Sequence, residues 1–325
     1  MRLPSVTVLV TVKNSEDTVE KCINSILKLN YPNYKIYVTD GYSTDRTWEI
    51  IKILQKKFSN KIHAERIKGN IATAHNHMIK KVKTDFIAMT DADCVVDRNW
   101  LKNLIYGFSS KEIIATAGYC STPKAVNMIQ RLIGRELEDR FDNFPKFILR
   151  APTMNLCVRT EIAKKVKFDE RFDVAQETDW GYRLVKFGKM RYVPKAVVYH
   201  HHRPTLKSFF KQQFKYGRHM PLLYFKHMKM STGDHISKPL MIFQEFIFLF
   251  ACLFSIFSFF NPNFFILSMV LFIILFISYL FKSVNLAKKF YEIPLFFFLF
   301  FFRTVAWTVG LIFGLFDFFL KDDKI

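Results

Sequence analysis

Cysteine is scarce in this chain of 325 residues. It stands at five scattered positions, Cys22, Cys94, Cys120, Cys157 and Cys252, with no CxxC pair. That pattern argues against a zinc site and for a reducing compartment. Acid is scarce too: 28 Asp and Glu face 48 Lys and Arg, a formal net charge of +20. Between Arg183 and Lys229 twelve basic residues meet no acid at all. No nucleic-acid module is recognisable around this block, and it directly precedes long apolar runs. It is expected to face anionic lipid at a cytoplasmic membrane surface, with no nucleic-acid partner. A signal peptide is not expected either. The opening "MRLPSVTVLVTVKN" alternates, lacks a small-residue cleavage site and leads into charged sequence.

What the chain has in excess is apolar residues, 50% of the total, with Phe at 37 positions. They are unevenly spread, which divides the sequence into 1–205, a soluble-type domain, 206–239, a basic juxtamembrane segment, and 240–320, a membrane region. Three runs, 240–260, 264–281 and 293–316, are each near the ~20 residues that cross a bilayer. Lys282, Lys288 and Lys289 and the basic block place those ends on the cytoplasmic side. The turn at Asn261–Asn263 and the tail "KDDKI" then fall outside. Arg303 lies inside the third run. Either it faces protein, water or a lipid phosphate, or the span starts later and Arg303 snorkels. Before the runs, Leu206, Phe209, Phe210 and Phe214 share a helical face, and Lys207, Lys211, Lys215 and Arg218 form a basic stripe. The pattern fits an amphipathic helix in the membrane interface, or else a solvated helix packed on the soluble domain.

The first domain alternates strands and helices. Strands are expected at 6–12, 34–40, 61–67 and 85–93, and helices at 15–29, capped by Ser15, at 46–58 and at 70–82. This order implies an α/β fold, a mostly parallel sheet with helices on both faces. Ligands of such sheets bind beyond the carboxyl ends of the strands. Asp40 falls at one such end, where it could accept hydrogen bonds from a nucleotide base or ribose. Asp91 and Asp93, in "TDADC", fall at another. A lone D-x-D is weak, because turns are rich in Asp, but here an apolar strand runs directly into it. Hard divalent cations prefer carboxylate oxygen, and a metal there would neutralise a diphosphate leaving group.

The order of the segments "VTVLVTVKNSEDTVEKCINSIL", "VTDGYSTDRT", "KGNIATAHN", "AMTDAD", "APTMNLCVRTEI", "FDERF" and "AQETDWGYRL" resembles the inverting glycosyltransferases of family 2. The resemblance implies the Rossmann-like GT-A fold and a nucleotide held by Thr11, Lys13, Asn14 and Asp40, with Asn76 and Asp91 also at the donor. It implies that Asp91 and Asp93 form the metal-binding DxD motif, with Asp93 the direct ligand. Such enzymes often take a further ligand from a later residue. His200 is the candidate, unless "HHH" is a polar loop with one buried His. Where the family commonly reads E-D-x-D, this chain has Gln176, Glu177 and Asp179. Glu177 becomes the candidate general base and Asp179 a neighbour that orients acceptor or helix. The alternative for Glu177 is an exposed acid favouring a helix N-terminus. His75, Tyr42 and His219 depart from the family pattern. The Q-x-x-R-W motif of processive synthases is missing.

The resemblance thus implies a membrane-bound, multi-pass glycosyltransferase with a cytosolic catalytic domain, using a UDP- or GDP-sugar and Mg²⁺ or Mn²⁺. Its expected partners are a lipid-linked, polyprenyl-type acceptor and membrane lipids. Two other readings stand beside it. One is a polyprenyl-phosphate sugar synthase, whose anionic acceptor needs no base. The other is a non-catalytic membrane scaffold that binds sugar or lipid.

Overall fold

The computed structural model describes residues 3–320. It forms two compact units, one of residues 3–126 with 140–201, the other of residues 127–139 with 202–320. The second unit therefore takes a piece from the middle of the expected first domain. The expectation for the tail, residues 321–325, lies outside the described residues.

In the first unit, β1 (Val6–Val12), β2 (Tyr34–Asp40), β3 (Ile62–Arg66) and β4 (Phe86–Asp91) alternate with α1 (Val19–Leu27), α2 (Thr47–Lys57) and α3 (Ile71–Lys81). β1, β2 and β4 are nearly all buried, as strands covered on both faces are, whereas β3, at the edge, is mostly half-exposed. β5 (Cys94–Val96), α4 (Trp100–Tyr106) and β6 (Ile113–Ser121) follow. Helix α5 (Met128–Asp142) precedes β7 (Phe147–Ile148), β8 (Leu156–Arg159), α6 (Thr160–Lys165), α7 (Gln176–Leu184) and β9 (Lys189–His200). The sheet runs β3-β2-β1-β4-β8-β6-β9-β5, with β7 beside β9. It is parallel from β3 to β4 and mixed beyond, where β8 is antiparallel to both neighbours. Leu9, Met89, Leu156 and Val158 of the sheet pack in one core with Met78 of α3 and Trp180 of α7.

Helix α1 starts later than the sequence suggests, at Val19 instead of Ser15. Side chains of the β2–α2 loop take the intervening amides: Ser43 Oγ accepts from Asn14 N (2.9 Å), Thr47 Oγ1 from Ser15 N (2.7 Å) and Asp45 from Glu16 N (3.2 Å). These long-range bonds hold residues 14–16 out of the helix, and the loop so formed lines the ends of β1 and β2.

The second unit contains α8 (Leu206–Lys226), α9 (Pro239–Phe257), α10 (Asn263–Leu286) and α11 (Glu292–Leu320). The last three are long and apolar enough to cross a membrane. Helix α10 continues past the expected end at 281, so the basic connector shrinks to 287–291. The apolar side of α8 packs along α11, where Gly217 lies against the Trp307 backbone and Gly310 and Gly314 against that of α8. Lys207, Lys211, Lys215 and Arg218 stay exposed.

Charges on the middle of α5 fasten this unit. Arg135 pairs with Glu292 at 2.6 Å, and Asp139 accepts from Lys238 and Lys282, each at 3.3 Å. Glu136 pairs with Arg303, both almost wholly buried. Arg303 thus faces protein and does not snorkel. Removing one member of such a pair leaves an uncompensated buried charge, which costs about 3–5 kcal/mol, whereas an apolar pair of similar volume is near neutral. Arg303→Ala should therefore markedly lower the melting temperature in detergent, and Glu136→Leu combined with Arg303→Met should restore most of it. An unchanged melting temperature for Arg303→Ala would contradict the pairing.

Candidate active site

Parallel register brings the first group of residues into line. Thr11 of β1 is the partner of Asp91 at the end of β4, and Val12 that of Asp40 at the end of β2. Beyond Asp91 the chain turns back at once into β5, which runs antiparallel to β9 so that Cys94 faces His200. The turn sets Asp93 Oδ2 3.4 Å from His200 Nε2, and Asp93 O accepts from His201 N at 3.1 Å. Asp93 and His200, 107 residues apart in sequence, are therefore neighbours.

One ligand atom each from Asp93, Cys94 and His200 lies within 4.8 Å of the others. Burial and the charges of Asp93 and Asp91 push the Cys94 thiol well above its ordinary pKa, so it is a poor thiolate donor. Burial alone would lower the His200 pKa. Asp93 outweighs burial and, with Cys120, holds His200 well above its usual value. A bound cation would displace the His200 proton, and the carboxylate with the neutral imidazole would then make an oxygen–nitrogen donor pair that suits a divalent ion such as Mn²⁺. The residues present thus fit a metal.

Around the other strand ends, Asn14 has φ 49° and Tyr42 φ 57°, the left-handed region that favours glycine. Here the Tyr42 ring lies 4.6 Å under the Arg66 guanidinium, a cation–π contact. Asn14 Oδ1 accepts from Thr44 N at 2.9 Å, and Lys13 is exposed beside it.

Asp40 is fully buried and its oxygens are taken. Both accept from Ser43 N at 3.2 Å, one also accepts from Ser43 Oγ, and Arg66 Nε donates at 2.7 Å. The carboxylate has no vacant lone pair for a base or ribose in this arrangement and instead anchors Arg66, whose side chain keeps 30% exposure. Arg66 escaped the sequence reading. Its signal was position alone, because it ends β3 directly opposite Asp40.

Asn76 likewise turns away from a donor. Its amide exchanges hydrogen bonds with Phe168 N (2.8 Å) and O (2.9 Å) and donates to Glu170 at 2.8 Å. Asn70 and Thr73, on the same face of α3, also bind Glu170. Together they clamp the "FDERF" segment that leads into α7. Buried His75 stacks on Phe168 at 4.8 Å, and Phe168 on Trp180 of α7 at 4.1 Å.

The two acids of α7 are in opposite states. Asp179 is fully buried and paired with Arg183 at 2.6 Å. Glu177 is half-buried, and among the described residues it has no ion pair. Burial pushes its carboxyl above the ordinary value, with Arg150 opposing. Arg150, also unforeseen, is buried, donates to Thr178 Oγ1 at 2.9 Å and lies under Gly181, where a Cβ would come within 2.5 Å of it. Ala175, at φ 63°, turns the chain into α7 and is, among the described residues, the third non-glycine residue with positive φ. All three stand in segments that carried the resemblance, as strain gathered at functional loops would give.

Comparison with known proteins identifies a family and a fold. The family model for glycosyl transferase family 2 matches residues 7–163, and that for glycosyl transferase family group 2 matches residues 86–319. The chain is 28% identical over 233 residues to the dolichyl N-acetyl-alpha-D-glucosaminyl phosphate 3-beta-D-2,3-diacetamido-2,3-dideoxy-beta-D-glucuronosyltransferase of Methanococcus voltae, covering 65% of this chain and 71% of that protein. It is 24% identical over 228 residues to glycosyltransferase AglE of Haloferax volcanii, covering 66% and 73%. Among solved structures, the mannosyltransferase PcManGT of Pyrobaculum calidifontis, in complex with GDP-Man and Mn²⁺, superposes with a TM-score of 0.60. The match spans 98% of this chain and 88% of that one at 14% identity.

The buried stack generates a pH prediction. Burial lowers the His75 pKa to about 4 from 6.5, and its Nδ1 has no hydrogen-bond partner. The unfolded chain therefore binds the proton first, and the stability His75 contributes is lost as pH falls from about 6.5 to 4, by on the order of 2–3 kcal/mol. Thermal unfolding of His75→Phe should show a flatter dependence than wild type across that window. Parallel curves would contradict a neutral, buried His75.

Proposed function

The chain belongs to glycosyl transferase family 2 and is a glycosyltransferase with the GT-A fold, and on that premise we propose how it acts. It moves a sugar from a nucleoside-diphosphate sugar, UDP- or GDP-linked, to a hydroxyl of a lipid-linked glycan. The nucleotide lies over the ends of β1 and β2, against the Thr11–Lys13–Asn14 loop. The Arg66 guanidinium, anchored by Asp40, borders that space. Asp93 and His200 would hold a divalent cation, Mg²⁺ or Mn²⁺, with Asp91 beside them. Bound there, the cation would offset the negative charge of the diphosphate.

Glu177 is the general base. It takes the proton of the acceptor hydroxyl as that oxygen attacks the anomeric carbon from the face opposite the diphosphate. The new C–O bond forms while the bond to diphosphate oxygen breaks, configuration inverts, and the nucleoside diphosphate leaves. Asp179 holds Arg183 and positions α7. The observation that carries this assignment is the contrast on α7: one acid is consumed in a buried ion pair, while the other, half-buried, is raised toward the pH at which a base works. A polyprenyl-linked acceptor and a catalytic unit on the cytosolic side fit the apolar helices, the basic block and the dolichyl phosphate in the name of the Methanococcus voltae relative.

Glu177→Gln should lower kcat by about 100-fold or more while leaving the melting temperature nearly unchanged. Asp179→Asn should lower the melting temperature as well. An undiminished rate for Glu177→Gln would point to an acceptor that is already anionic, as a polyprenyl phosphate is, and would remove the base from the mechanism.

A further inference from the structure

The three apolar helices were expected to cross the membrane in succession, but contacts within the second unit arrange them differently. Helices α9 and α10 form an antiparallel hairpin. The Ser255 and Ser268 hydroxyls meet at 2.7 Å, Gln244 Nε2 donates to Ser278 Oγ at 2.6 Å, and Phe254 stacks on Phe264 at 5.6 Å. Phe259 and Phe260 at the tip are 89% and 84% exposed. At the base, Lys238 and Lys282 share Asp139.

Helix α11 does not extend this hairpin as a third antiparallel member. Its first residue is tied to the base of α10, because Arg135 donates both to Glu292 and to Leu286 O (3.3 Å). Its later turns are tied to the base of α9, where Trp307 and Leu311 share a buried cluster with Met241 and Ile242. From Glu292 to Leu311 a helix covers about 28 Å, close to the ~30 Å of a hydrocarbon core. Yet both ends of that stretch sit at the same end of the hairpin. A helix lying across the base satisfies this, and a helix running beside the hairpin does not.

Helix α8 gives an independent reason. It runs parallel to α11: Trp307 Nε1 donates to Gln213 at 2.8 Å, the Phe214 and Phe313 rings meet, Arg218 pairs with Asp317, and Phe225 reaches Phe318. If α11 crossed the bilayer, α8 would be carried through with it. Its exposed Lys207, Lys211 and Lys215, and its first backbone amides, would then lie at hydrocarbon depth, where both are strongly disfavoured. The uncovered side of α11, meanwhile, presents an apolar stripe of Phe298, Phe302, Phe316 and Phe319.

We propose that this chain crosses the bilayer twice, through the α9–α10 hairpin alone, and that α11 and α8 lie together in the plane of the membrane interface across its base. The stripe of α11 faces acyl chains, and the lysines of α8 face anionic headgroups. Helix α11 then ends on the side from which α9 starts. The inference rests on contacts inside the second unit and stands apart from the transferase reading.

The test uses the full chain carrying one epitope tag, either inserted after Pro262 or appended after Ile325, in cells whose outer surface is open to antibody. The tag after Pro262 should be reached in intact cells, and the C-terminal tag only after the membrane is permeabilised. Both tags reached in intact cells would restore three crossings and overturn the proposal. Neither reached before permeabilisation would overturn it too, by removing the crossing of the hairpin. Should the inserted tag impair folding, Asn261→Cys with a membrane-impermeant maleimide reports the same side.

Discussion

The candidate site depends on one constraint, the parallel register of β1 with β2 and β4. Because the three strands run side by side in one direction, their carboxyl ends finish at one edge, and whatever residues stand there are brought together. Thr11, Asp40 and Asp91 are such residues. In a chain of net charge +20, acids aimed at one edge are conspicuous, and the immediate return of the chain in β5 adds His200 to Asp93. Of the two acids, Asp93 is the one set beside His200, and Asp91 ends β4 two residues before it. The same edge is bordered by cations, Lys13 and Arg66, as a site for a diphosphate requires.

Much of this was legible in the sequence, because β-branched runs and helical periodicity are local. The strands from β1 to β4 fall where their composition puts them. What was hidden depends on partners far along the chain. Ser15 reads as a helix cap, but Thr47 holds its amide. Asp40 reads as a ligand for the nucleotide, but Arg66 and Ser43 occupy it. Asn76 reads as part of the donor site, but Phe168 and Glu170, more than ninety residues on, take its amide. That clamp also explains why "KGNIATAHN" and "FDERF" occur together: one holds the other in place ahead of α7. The resemblance already set Glu177 apart from Asp179, and the structure adds that Arg183, one helical turn beyond Asp179, pairs with Asp179.

The second unit shows the same limit more sharply. Hydropathy marks three helices, and length alone cannot say which of them cross. Residues 127–139 carry the missing information. They come from the middle of the catalytic half of the sequence, yet Arg135, Glu136 and Asp139 reach α11, the start of α9 and the end of α10. Arg303, puzzling in an apolar run, is the counter-charge to Glu136. An apolar helix that buries an ion pair on one face and shows phenylalanine on the other belongs between protein and lipid.

The central claim is that a nucleotide sugar and a divalent cation meet at Asp93 and His200. The most direct measurement is the melting temperature of the full chain in detergent with GDP- and UDP-sugars, with and without Mn²⁺, for wild type and Asp93→Asn. A ligand bound only by the folded state raises it. One donor class should raise the wild-type value, more so with Mn²⁺, and Asp93→Asn should lose the Mn²⁺-dependent part. A full Mn²⁺-dependent rise in Asp93→Asn, or no rise with any donor, would contradict the claim.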